Sequence, residues 1–183
     1  HEVIPGHNLQ FFMMERYRPW RNAFWTPFWM EGWALYWEML LWDLNFPRNA
    51  EDKVGALFWR MHRAARIVFS LSFHLGRMTA QQCVDYLVNE VGHERDNAAA
   101  EVRRSFESGD APLYQAAYML GGLQFRALHR DLVQSGKLSN REFHDTILRL
   151  NVLPVDMIRA TLTNSTLPRN YTSNWQFYGD INP

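Results

Sequence analysis

Apolar positions recur every three or four residues along most of this chain, and no stretch alternates with period two for long. That pattern predicts helices throughout. Residues 1–17 carry apolar positions at helical spacing, interrupted by Pro5-Gly6 and ended by Pro19. Thr26 and Pro27 read as N-cap and first position of a helix through Leu44, which stops before Asn45 and Pro47. Asn49 caps the long run "AEDKVGALFWRMHRAARIVFSLSFHLG", closed at Gly76. Thr79 with Gln82, and Ser139 with Glu142, form capping boxes that open "AQQCVDYLVNEV" and "NREFHDTILRL". A shorter helix is expected from Asp96 to Phe106. Ser108-Gly109-Asp110 then breaks the chain before "APLYQAAYMLGGLQFRALHRDLVQSG", and Pro154 begins a last short helix. The expected fold class is all-α: one helical domain over residues 1–162 and a polar, Asn-rich tail over 163–183. No internal repeat is visible, nor a linker long enough to split the chain in two.

Composition narrows the function. Nineteen Lys and Arg balance nineteen Asp and Glu, and the basic residues form no stripe. This argues against nucleic acid or an anionic membrane as the main partner. No apolar run approaches the roughly 20 residues of a membrane span. The lone Cys83 excludes an internal disulfide and leaves the compartment open. Eight Trp and twelve Phe are many for 183 residues, and many fall in the first quarter, as in "PWRNAFWTPFWMEGWALYWEMLLW". Few domains of this size cover so much aromatic surface unaided. The chain also lacks an initial Met, and its first residue already belongs to a candidate motif. The expectation is a C-terminal piece whose missing N-terminal part covers that surface; the competing reading is a Trp-rich domain.

The candidate motif is "HEVIPGHNLQ". In a regular HExxH helix the histidines sit at i and i+4, about 40° apart, and both reach one cation. His1 and His7 are six apart, roughly 120° around an unbroken helix. Pro5 and Gly6 are the residues that break one. Looping out about two residues returns His7 to the His1 face, at a cost of order 1–3 kcal/mol that metal binding offsets. Catalytic zinc takes three protein ligands and keeps one position open. Glu31, early in the Thr26-capped helix within "EGWALYWE", supplies the third, if that helix runs antiparallel to the first. Glu38 lies seven residues on, on nearly the same face, placed to accept a hydrogen bond from a ligand histidine. Glu2 then has the position of a general base. The competing reading of Glu31 is a surface carboxylate in a first turn.

Together with "RIVFSLSFHLGRMT", "YQAAYMLGGLQFRAL" and "REFHDTILRL", these motifs resemble the domain of unknown function 885 family, a bacterial group of helical, zinc-peptidase-like proteins. The likeness runs from His1 to Leu162. It implies a helical zincin of gluzincin type, similar to the carboxypeptidase Taq, thimet oligopeptidase and angiotensin-converting-enzyme groups, with this region at the C-terminal end of a longer chain. It gives His1, His7 and Glu31 the zinc-ligand role and Glu2 the base. It points to Tyr118 and His74 for the oxyanion, and to Arg126 for a substrate carboxylate. The family stretch before His74 commonly carries an Asp and a Gly where this chain has Ser70 and Ser72. Members often carry export signals, so a periplasmic or exported location follows if the parent has one.

Bland readings accompany each of these. His74 among Phe69, Phe73 and Leu75 also suits a core histidine, Tyr118 a core tyrosine and Arg126 a salt-bridge partner. His93-Glu94 reads as a helix start, His62 and His129 as surface or rim residues, and His144 as a packing residue. The expected function is a zinc-dependent metallopeptidase acting on peptide substrates by metal-activated water. Its rivals are a hydrolase of non-peptide amides or esters, and a non-catalytic binding module on the same fold. If the polypeptide starts at His1, half the cleft is missing and weak or no activity is expected from this piece.

Overall fold

A computed structural model describes residues 1–107, 109 and 112–178, and no strand occurs among them. The helices are α1 (His7–Arg16), α2 (Pro27–Asp43), α3 (Ala50–His74), α4 (Ala80–Tyr86), α5 (Arg95–Glu107), α6 (Ala117–His129), α7 (Asn140–Leu150) and α8 (Val155–Leu162). The caps expected at Asn49, Thr79 and Ser139 form. Asn49 accepts the Asp52 N–H, and both boxes close in both directions. Glu94 accepts the N–H groups of Asp96 and Asn97, making His93-Glu94 a helix start. Two helices continue as wider π turns, α4 over 87–91 and α6 over 130–134. Of the break expected at Ser108-Gly109-Asp110, Ser108 and Asp110 lie outside the described residues. Among the described residues no helix is long and apolar enough to cross a membrane.

The chain forms two compact units, one of residues 1–40 with 120–183 and one of residues 41–119. Both boundaries fall inside helices, α2 and α6, where no change of composition marks them.

In the first unit, α2 is the central element. Every residue from Trp29 to Tyr36 is buried, the signature of a helix enclosed on all sides. Phe125 and Leu128 of α6, Phe143 and Ile147 of α7, and Ile158 of α8 complete that core. Gly32 and Gly121 let two backbones touch, since a Cβ on Gly32 would lie 2.6 Å from the Gly121 Cα. Buried Asn151, at a φ of 63°, sends its amide to the carbonyls of Met14 and Tyr17 and so ties down the end of α1. His129 is not a rim residue: it is 7% exposed and pairs with Asn140 Oδ1 at 2.8 Å. His144 meets the Tyr36 hydroxyl at 2.8 Å. Burial lowers the His144 pKa to about 4 and raises that of Tyr36, so the hydroxyl donates and the ring accepts. The tail contributes too, because Trp175 packs on this core beneath the Arg159 guanidinium.

The second unit closes on Ala65 and Phe69 of α3, Cys83 and Leu87 beyond them, and Ala98 and Val102 of α5. A polar chain crosses it. Arg66 forks onto Glu101, with Nε–Oε1 2.6 Å and Nη2–Oε2 3.2 Å. His62, 1% exposed and so a core residue rather than a surface one, lies 2.7 Å from His93 through Nδ1. Burial, reinforced by the Arg66 cation and opposed by Glu101, lowers the His62 pKa to about 3.

Two outcomes follow. Gly32→Ala drives a methyl into the backbone of Gly121, which has no flexible end to yield, and should cost about 2–3 kcal/mol in urea unfolding. For His62 the folded-state pKa lies below the ordinary 6.5, so the unfolded chain binds the proton first. Its contribution is complete above pH 6.5 and declines as pH falls towards 3. Urea midpoints should drop across that window, and His62→Gln should flatten part of the slope.

Candidate metal centre

The site begins with backbone. The His7 N–H donates to the His1 carbonyl at 2.8 Å, and the Asn8 N–H to the Glu2 carbonyl at 2.9 Å. Ordinary helical spacing resumes with Gln10 N–H to Gly6 O at 3.2 Å. A helical N–H bonds four residues back; these two bond six back, so two extra residues are extruded from the turn. A side chain at Gly6 would collide with the His1 carbonyl, which makes glycine a requirement there. The Ile4-Pro5 peptide is cis, and the Pro5 carbonyl accepts the Trp33 indole N–H at 2.8 Å. His1 and His7 thereby become neighbours as if at i and i+4, with ring centroids 4.8 Å apart and planes 88° to one another.

Glu31 comes to them from α2. It sits 7% exposed between Met30 and Trp33, within the fully buried run. Its Oε2 is 3.2 Å from His7 Nε2 and 3.7 Å from His1 Nε2. One ligand atom from each of the three residues lies within 4.8 Å of the others. Each imidazole is also held from behind. His1 Nδ1 lies 2.6 Å from Glu38 Oε1, and His7 Nδ1 2.8 Å from Gln10 Oε1. Buried Gln10 in turn donates through Nε2 to the Trp29 carbonyl at 3.2 Å, which orients its amide. In their neutral Nδ1–H form both imidazoles turn Nε2 lone pairs towards the Glu31 carboxylate. His1, His7 and Glu31 together form a group that could hold a metal ion. Two imidazole nitrogens, one carboxylate oxygen and outer acceptors on both rings fit zinc with a position left open.

Glu2 follows His1 directly and is exposed. Arg126 is exposed on α6, within the first unit. Tyr118 belongs to the second unit, buried beneath the guanidinium groups of Arg66 and Arg63, with its hydroxyl 3.4 Å from Arg104 Nη2. His74 is exposed in that unit, edge-on to Phe73 and Phe106. Ser70 stands where the resemblance expected an acid, and Glu101 of α5 supplies the carboxylate to Arg66 instead. Burial pushes the Glu101 carboxyl up, but the Arg66 hydrogen bond overrides it and leaves the group below its ordinary value. Two residues of the metal centre escaped the sequence reading, Gln10 and Trp33. Gln10 was signalled by its place one turn beyond His7; nothing in the pattern marked Trp33.

Residues 1–162 match a bacterial family described as a protein of unknown function, DUF885. The chain belongs to that family. Among solved structures it is similar to one from Colwellia psychrerythraea titled a "putative lipoprotein", with 26% identity and a TM-score of 0.76. A "putative lipoprotein of unknown function" from Shewanella oneidensis shares the fold at 21% identity and a TM-score of 0.75. Both matches cover 88% of this chain, which spans 28% and 30% of those two proteins. No curated protein matches the sequence.

Gln10→Leu removes the acceptor behind His7 and the donor to Trp29 together. Stability should fall by about 1–3 kcal/mol, and zinc affinity, read by competition with a chromophoric chelator, by about 10–100-fold.

Proposed function

We propose that this DUF885 member is a zinc-dependent hydrolase that cleaves peptide bonds. The observation that supports this most is Glu31, a carboxylate inside the fully buried Trp29–Tyr36 run of α2, facing two Nε2 atoms whose rings are oriented from behind. A buried carboxylate is costly without a compensating positive charge. His1, His7 and Glu31 would hold the metal, whose Lewis acidity makes water a nucleophile near neutral pH and polarises a carbonyl. Glu38 and Gln10 keep the two imidazoles in the ligating tautomer. Glu2 takes the proton of the attacking water and passes it to the leaving amine. Arg126 is the residue proposed to bind a substrate carboxylate. The likeness to proteins titled as lipoproteins supports an exported location. The exposed Phe11, Phe12, Trp20, Phe24 and Trp25 support cover by further polypeptide.

Metal content tests the first step without needing turnover. Protein dialysed against zinc should hold about one ion per chain, and His7→Ala or Glu31→Ala should lose it. Glu2→Gln should keep the metal and lower hydrolysis of a short-peptide library by about 10²–10⁴-fold. Undiminished turnover by Glu2→Gln would overturn the proposal, as would metal retained by both ligand variants. Simple esters run beside the peptides identify the acyl group preferred.

A further inference from the structure

The extruded turn between His1 and His7 gives up the helical bonds of its own backbone. Pro5 has no N–H to contribute, and its carbonyl lies before the first rung of α1, which runs from the Gln10 N–H to the Gly6 carbonyl. A carbonyl left without a donor beside a largely buried site is costly. Trp33 of α2 supplies the donor, with Nε1 2.8 Å from the Pro5 oxygen. Packing fixes where that indole points. It is 0% exposed and lies against the rings of Tyr36, Trp37, Phe125 and His144, with centroids 5.8 to 6.2 Å away.

The bond is not a by-product of a tryptophan-rich helix. Trp29 and Trp37 stand one turn before and one turn after Trp33, and their buried indole N–H groups meet no acceptor. Helix α2 also reaches the His1–His7 segment through Glu31, at both Nε2 atoms, and through Glu38, at His1 Nδ1. Those contacts hold side chains, whereas Trp33 holds the backbone of the turn. The competing register is the unbroken helix, in which the two histidines stand about 120° apart.

We propose that Trp33 is a positioning residue for the metal: its indole N–H keeps the turn in the register that lets His1 and His7 share one ion. The inference rests on the zinc reading of His1, His7 and Glu31. Trp33→Phe removes the donor and keeps an aromatic ring, and Trp37→Phe makes the same change where no hydrogen bond is lost. In competition with a chromophoric chelator, Trp33→Phe should lose at least about tenfold in zinc affinity, while Trp37→Phe matches the wild type. At saturating cobalt(II), the wild type and Trp37→Phe should show the strong visible bands of a four-coordinate ion, and Trp33→Phe weaker ones. Reciprocal linkage gives a test that needs no variant to fold. Zinc should slow hydrogen exchange at the wild-type Trp33 indole at least about tenfold more than at the Trp29 indole. Equal zinc affinity in Trp33→Phe and the wild type would overturn the proposal, as would an equal loss in Trp37→Phe or equal slowing at both indoles. A wild type that binds no zinc would remove the metal reading itself, and this inference with it.

Discussion

Two backbone hydrogen bonds, from His7 to the His1 carbonyl and from Asn8 to the Glu2 carbonyl, set the geometry on which the candidate metal centre depends. They bridge six residues where a helix bridges four, and the surplus is expelled as a small loop. Without that extrusion His1 and His7 would stand about 120° apart around the axis. With it they share one face, as a regular HExxH pair would. Each residue of the loop bears on this outcome. Gly6 passes where any side chain would strike the His1 carbonyl, and Pro5 offers its carbonyl to Trp33. The indole bond joins the loop to α2, the helix that carries Glu31.

The second constraint is electrostatic. Helix α2 is enclosed from Trp29 to Tyr36, and Glu31 interrupts that run with a carboxylate. Burying such a group disfavours its charged form unless a cation is near. Glu38 and Gln10 engage the Nδ1 atoms, and neutral imidazoles held in this way present Nε2 lone pairs, suited to a cation, on the side of Glu31. Gly32, next to Glu31 in sequence and about 100° further around the helix, brings the backbone of Gly121 against α2. The carboxylate is thus held by a helix with little freedom to move, which is what a preorganised ligand requires.

Most helices were legible because their ends are local chemistry. Thr79 with Gln82 and Ser139 with Glu142 are capping boxes wherever they occur, and the structure closes both. The proximity of His1, His7, Glu31 and Glu38 followed from helical periodicity plus one break, so it too was readable. Other features depend on contacts distant in sequence. Glu101 meets Arg66 across 35 positions, and no spacing rule links them. His62 and His129 looked like surface residues because their neighbours are mixed in polarity, yet packing encloses both. The division into two units was hidden because its boundaries run through continuous helices.

Anomalous diffraction at the zinc edge, on crystals of the zinc-treated protein, addresses the central claim directly. One strong peak is expected about 2.0–2.2 Å from His1 Nε2, His7 Nε2 and a Glu31 oxygen, with Glu38 and Gln10 still on the far nitrogens. Zinc bound elsewhere, or a hydrogen bond from a protonated imidazole to Glu31 in place of the metal, would contradict it.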